Sequence, residues 1–200
     1  HEEAIKCWDK AIEVDPKFVG SWANKGAALA ELGKHEEAIK CWDKALELDA
    51  DITDVIHMWN NKGNALANLG KFEEAVKCYE EAIELDPKFA LAWGNEGIAH
   101  ANLGKFDEAI KCCEKATELD PKFALAWFNK GLAFFKLEKF EESIKCWDKV
   151  IELDPKDIVG VTDVPALDAW INKGSALANL GKKEEALECC EKALELDPSN

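Results

Sequence analysis

The stretch EEAIKCWDKA, residues 2–11, returns unchanged at 36–45 and in altered form as EEAVKCYEEA (73–82), DEAIKCCEKA (107–116), EESIKCWDKV (141–150) and EEALECCEKA (184–193). A cysteine beside a tryptophan, with lysine before and aspartate after, suits a tuned thiol, a metal ligand or a redox pair when it is met once. Met six times, it marks an internal repeat, and self-similarity decides the architecture before any local motif is read. Cys7, Cys41, Cys78, Cys112, Cys146 and Cys189 are spaced by 34, 37, 34, 34 and 43 residues, a period of 34 with insertions of three and nine.

Other columns follow from that alignment. Trp22, Trp59, Trp93, Trp127 and Trp170 form one, and Gly26, Gly63, Gly97, Gly131 and Gly174 stand four residues later. Proline closes the units at Pro16, Pro87, Pro121, Pro155 and Pro198, with Ala50 as the exception. In AWFNKGLAFFKL, Trp127, Gly131, Phe134 and Leu137 fall on one face of a 3.6-residue helix. Gly-Lys at Gly33, Gly70, Gly104 and Gly181 breaks that helix. The EEAIKC segment then opens a second one, with carboxylates over its positive N-terminal end. Asp-Pro ends it, because proline cannot continue a helix and disfavours helix in the residue before it. The expected unit is helix, turn, helix, turn, giving an all-α chain of eleven helices, six of the cysteine type and five of the tryptophan type.

At these columns the chain resembles the tetratricopeptide repeat family. Trp127, Gly131, Phe134, Ser143, Trp147, Val150 and Pro155 carry the match, which extends over nearly the whole chain. The residue before the glycine departs from the family pattern: it is Lys25, Lys62, Lys130 or Lys173, and once Glu96. The resemblance implies a right-handed α-solenoid of stacked antiparallel helix pairs, with first helices lining a concave groove and second helices on the convex face. Its expected organisation is a single array, 1–200: a half repeat at 1–18, then repeats at 19–55, 56–89, 90–123, 124–166 with an inserted loop, and 167–200. His1 aligns with His35, so the chain opens midway through a unit and a longer native protein is expected.

A net charge of −15 and a pI near 4.7 oppose binding to a phosphate backbone, which needs clustered Lys and Arg. Nucleic acid is not an expected partner. Membranes are not either, since no apolar run approaches the roughly 20 residues of a spanning helix.

Packed helices lie about 8–10 Å apart while a disulfide needs Cα atoms within about 7 Å, so cysteines of neighbouring units cannot bridge. Cys112-Cys113 and Cys189-Cys190 diverge by about 100° around their helices and lack the two-residue gap of a zinc or thioredoxin motif. In both, the second cysteine replaces the ring seen at Trp8, Trp42, Tyr79 and Trp147. These thiols read as small buried apolar residues in a reducing cytoplasm. GNALANLGK (63–71) has the wrong spacing for a phosphate loop, and the four histidines share no ligand spacing. The acidic residues follow the helix period as a solvated face. No catalytic residue, metal site or cofactor is expected.

Two residues after each tryptophan stands an asparagine: Asn24, Asn61, Asn95, Asn129 and Asn172. An amide that donates and accepts can hold the backbone of an extended peptide, as an asparagine ladder does in some members of the family; it can equally tie turns together within the scaffold. A second stripe varies between units, from Gly20, Ala23, Ala27 and Ala30 through His57, Asn60, Asn64 and Ala67 to Asp168, Ile171, Ser175 and Ala178. Its apolar members Leu91, Ile98, Leu125, Phe128, Leu132 and Phe135 are candidates for a ligand surface or for packing. The stripe has no Lys or Arg to clamp a carboxylate. The two insertions, DADITDVIHMW and DIVGVTDVPALDAW, are candidates for a binding edge or plain loops, with Asp163 as a helix cap and Pro165 in a first turn. The leading functional reading is a non-catalytic protein-interaction module that holds an extended or helical peptide in its groove. The alternatives are a scaffold that self-associates through its ends and a regulatory fragment of a larger protein.

Overall fold

The computed structural model describes residues 1–48, 50–153 and 166–196. Pro155, Pro198, Asp163, Pro165 and the stretch 157–165 lie outside them. Eleven helices and no strand occur among the described residues. The cysteine-type helices are α1 (Glu2–Val14), α3 (His35–Leu46), α5 (Phe72–Leu85), α7 (Phe106–Leu119), α9 (Phe140–Glu152) and α11 (Lys183–Leu196). The tryptophan-type helices are α2 (Val19–Glu31), α4 (Ile52–Asn68), α6 (Ala90–Asn102), α8 (Ala124–Lys136) and α10 (Ala166–Asn179). The chain forms two compact units, His1–Ala99 and His100–Asn200. In the first, α1 to α5 pack in chain order, each on the next; in the second, α7 to α11 do the same.

The helix ends follow local chemistry. Gly33 takes φ +74°, so Lys34 N–H reaches Leu29 O at 2.9 Å and closes α2. Glu138 occupies the same position after α8 with φ +60°, and Lys139 N–H reaches Phe134 O at 2.9 Å. The motif thus survives a residue that is strained there by about 1–2 kcal/mol. The three-residue insertion lengthens a helix and not a loop. α4 has 17 residues against 13 in α2, and Asp51 caps it by accepting from Thr53 N–H at 2.9 Å.

In three helix pairs the core is organised around a ring facing a glycine. A Cβ placed on Gly26 would lie 2.7 Å from Trp42 Nε1; on Gly63, 2.5 Å from Tyr79 Cε1; on Gly131, 2.6 Å from Trp147 Nε1. These rings are at most 2% exposed. Each buries about 150–250 Å², roughly 4–6 kcal/mol at about 25 cal/mol/Å² before chain entropy is counted. The next tryptophan-type helix covers the ring with small or flexible side chains, Met58 and Ala65 over Trp42, and Ala169 and Ala176 over Trp147.

No disulfide joins any of the eight cysteines. Six are buried, as a small apolar residue should be, but Cys7 and Cys190 are exposed. Burial pushes the thiols of Cys78 and Cys146 up to about 11 and that of Cys113 to about 12.

Gly131→Ala is expected to destabilise the second unit through the overpacking cost of about 1–3 kcal/mol, offset in part by roughly 1 kcal/mol of helix propensity. Gly174→Ala, whose Cβ would meet Cys189 Cβ at 3.2 Å and no ring, should cost less. Urea unfolding of both variants checks this ordering, and a Gly131→Ala protein as stable as the parent contradicts it.

The buried thiols also set a pH dependence. Unfolded thiols ionise near their ordinary value of 9.0 while the folded ones stay protonated to about 11 or 12. Their contribution is therefore complete below pH 9 and is lost as pH rises through the folded values. The urea midpoint should fall above about pH 9, and less steeply in Cys113→Ala; equal slopes would show that burial of this thiol is not linked to unfolding. Under native conditions only Cys7 and Cys190 should alkylate quickly.

Candidate functional site

The tryptophan-type helices are tied down by their own columns. Trp22, Trp93 and Trp127 are half-buried, and their indole N–H groups donate at 3.0 Å to the carbonyls of Pro16, Pro87 and Pro121, six residues back. The indole latches the Asp-Pro turn as well as packing. Trp59, which follows the turn with Ala50, makes no such bond among the described residues.

The lysines that depart from the family pattern are bridges. Lys25 pairs with Asp9, Lys62 with Asp43, Lys130 with Glu114 and Lys173 with Asp148, at 2.5, 2.5, 3.1 and 2.6 Å, each reaching the preceding cysteine-type helix. Their ammonium groups also lie 4.9–5.9 Å from the ring centres of Trp59, Trp127, Trp170 and Trp22. The hydrogen bond to Asp9 holds the Lys25 ammonium above its usual range, against the opposing effect of burial. The acidic partners occupy the column after the second-helix ring, so the pairing is periodic. These cations are neutralised by the scaffold and are not offered to a ligand.

The asparagine column divides. Asn95 Nδ2 donates to Asn60 Oδ1 at 3.0 Å, joining α6 to α4 within the first unit, and Asn129 Nδ2 donates to Leu125 O at 2.8 Å on its own helix. Asn24, Asn61 and Asn172 make no hydrogen bond among the described residues. Asn24 is exposed, and Asn61 and Asn172 are half-buried.

In the first unit, Asn61 shares a cleft of about 350 Å³ with Asn64 and Asn68 of α4, Ala27 and Ala30 of α2, and Glu31, His35 and Trp42. Asn61, Asn64 and Asn68 are spaced i, i+3, i+7, so one helix face turns three amides toward the same space. Asn64 Oδ1 accepts from Tyr79 O–H at 2.8 Å, which leaves its Nδ2 to donate. Asn68, Glu31 and His35 were absent from the sequence-based candidates, although the heptad spacing of the asparagines was available there.

The apolar candidates also differ from one another. Leu91 is 41% exposed and Ile98 is half-buried. Leu125, Phe128, Leu132 and Phe135 are half-buried in the second unit and pack against the cluster of Trp147, Val150, Ala169 and Ala176. Phe135 meets Phe140 and Trp147 at ring separations of 5.3 and 5.9 Å. His57 is exposed and stands edge-on to Phe89 at 5.2 Å.

Several solved structures share the fold. YrrB, described as a TPR protein with an unusual peptide-binding site, is 24% identical over 96% of this chain and 93% of its own, with a TM-score of 0.73. MamA (residue 41 to its end) from Desulfovibrio magneticus RS-1 is 23% identical over 91% of this chain and 96% of its own, at 0.76. BtubC from P. vanneervenii is 16% identical over 99% of this chain and 88% of its own, at 0.80. No curated protein matches the chain. The family model described as "Tetratricopeptide repeat" matches residues 20–51, 58–89, 90–123, 124–157 and 167–200. Five matched repeats and helix pairs of matching build place the chain in the tetratricopeptide repeat family.

Proposed function

We propose that the chain is a non-catalytic protein-interaction module whose tryptophan-type helices hold an extended or helical peptide of a partner protein. The observation that carries this reading is the amide row of Asn61, Asn64 and Asn68 beside the alanine wall of Ala27 and Ala30. Main-chain groups of a peptide alternate donor and acceptor, and a row of amides can serve either whatever the peptide's sequence. A peptide ligand is also what the description of YrrB records for that protein. In the first unit Asn24, Asn61 and Asn95 with Leu91 and Ile98 are the proposed contacts. In the second they are Asn129 and Asn172 with Leu125, Phe128, Leu132 and Phe135. The repeats are taken as 19–55, 56–89, 90–123, 124–166 and 167–200 after a half repeat at 1–18. Eight cysteines without a disulfide suit a reducing compartment, and we place the protein in the cytoplasm.

A peptide selected against the whole protein from a random library supplies the probe. Asn61→Ala with Asn68→Ala should weaken its binding roughly tenfold, two hydrogen bonds at about 0.5–1.5 kcal/mol each, with the helical signal unchanged. Unaltered affinity would assign these amides to the scaffold. Phe128→Ala should weaken a peptide seated on the second unit by a similar factor. Because Phe128 packs on the core cluster, its melting temperature is read alongside, and a lower melt with normal binding removes it from the site.

A further inference from the structure

One tryptophan-type helix breaks two columns at once. The residue before the glycine is lysine at Lys25, Lys62, Lys130 and Lys173, but Glu96 on α6. Four residues later the column is apolar, with Leu29, Leu66, Phe134 and Leu177, but holds His100 on α6. Each exchange brings in a side chain of a type that binds metal ions, and no other tryptophan-type helix carries either of them.

The repeat brings a third such group to the pair. Glu96 and His100 stand one turn apart on a continuous helix, Ala90–Asn102, and so share a face. Cys112 on α7 follows them in the register that joins Lys62, Leu66 and Cys78, which line one cleft between α4 and α5. The same columns line clefts between α2 and α3 and between α10 and α11. In the helix pair α6 and α7, one carboxylate oxygen, one imidazole nitrogen and the thiol sulfur all lie within 4.8 Å of one another. Glu96 and Cys112 are each 6% exposed.

A carboxylate at that depth is costly unless a cation answers it. The sister pairs show where a cation belongs. Burial raises the thiols of Cys41, Cys78, Cys146 and Cys189, and the ammonium groups of Lys25, Lys62, Lys130 and Lys173 oppose it. At Glu96 that ammonium is replaced by an anion. An imidazole can answer a carboxylate as a cation at low pH, while as a neutral base it is the commonest metal ligand.

We propose that Glu96, His100 and Cys112 hold a divalent transition-metal ion, zinc by their chemistry. Imidazole nitrogen and thiolate sulfur select zinc over magnesium and calcium, which take oxygen. The carboxylate and the thiolate together balance two positive charges, and the thiol's proton leaves to solvent on binding. Zinc bonds of about 2.0–2.3 Å span up to about 4.4 Å between two ligand atoms, so small side-chain rotations close the shell. Three protein ligands leave the fourth position of a tetrahedral shell to water. None of the three belongs to the amide row of the first unit, so either site can fail without the other.

The test titrates the full, reduced chain with Co²⁺ and then with Zn²⁺. Cobalt should bind with a thiolate-to-metal charge-transfer band, and zinc should displace it. His100→Leu and Glu96→Lys restore the residues of the sister helices, so they should fold, as circular dichroism checks. Each should weaken zinc binding at least about tenfold, the low end of what loss of a mere supporting group costs at metal sites. Cys112→Ser should remove the band. Cys78→Ala, in the corresponding cleft of α4 and α5, should keep it, and so should the double variant Cys7→Ser with Cys190→Ser, which removes the exposed thiols. Excess zinc should raise the melting temperature of the parent and leave that of His100→Leu unchanged. No band from the parent, a band that survives Cys112→Ser, or one lost with the exposed thiols overturns the proposal. So does unaltered zinc affinity in a folded His100→Leu, which would reduce the cluster to a carboxylate and an imidazole packed beside a thiol.

Discussion

In three helix pairs an aromatic ring from one helix lies where its neighbour would carry a Cβ, and the rest of each unit is arranged around that contact. The glycine lets the helices close on the ring; the ring then excludes water from the alanines and cysteines on either side. The polar atom of the ring is handled differently each time. Trp42 Nε1 donates to Ala23 O at 3.2 Å, Tyr79 O–H to Asn64, and Trp147 Nε1 is buried with no partner. An unmet donor costs about 1–3 kcal/mol, less than the roughly 4–6 kcal/mol gained by burying the ring. Packing therefore wins at Trp147, whose cluster Phe128, Leu132 and Phe135 pack against.

The repeat, its period, the helix types and their order were all legible in the sequence, because each rests on residues whose backbone or volume requirements recur at fixed spacing. Gly33 shows the reason: the αL cap after α2 has one cheap solution, and the same residue marks it in other units. Glu138 shows the limit, since the motif persists there once neighbouring hydrogen bonds are in place. The lysine column was read as a departure from the family pattern, yet it closes ion pairs that span 16 residues in one repeat and 25 in another. A contact between helices is invisible to a rule that examines one helix at a time.

The candidate site was legible only as a column. That an asparagine stands two residues after each tryptophan says which face it shares, and nothing about whether its amide is already engaged. Asn95 and Asn129 are engaged, while Asn24, Asn61 and Asn172 make no hydrogen bond among the described residues. The difference arises from what the adjacent turn or helix presents, Asn60 in one case and a helical carbonyl in the other. The same holds for Phe128 and Phe135, whose apolar stripe could not be told from core until Trp147 was seen behind it.

Charge also bears on the surface proposed for the first unit. Lys25, Lys62, Lys130 and Lys173 of the tryptophan-type helices are neutralised by Asp9, Asp43, Glu114 and Asp148. What remains for a peptide over the α4 face is amide hydrogen bonding and apolar contact, both nearly indifferent to ionic strength. Attraction between exposed charges, by contrast, decays over a screening length of about 8 Å at physiological salt. Binding of a peptide at the surface proposed there should therefore persist in salt.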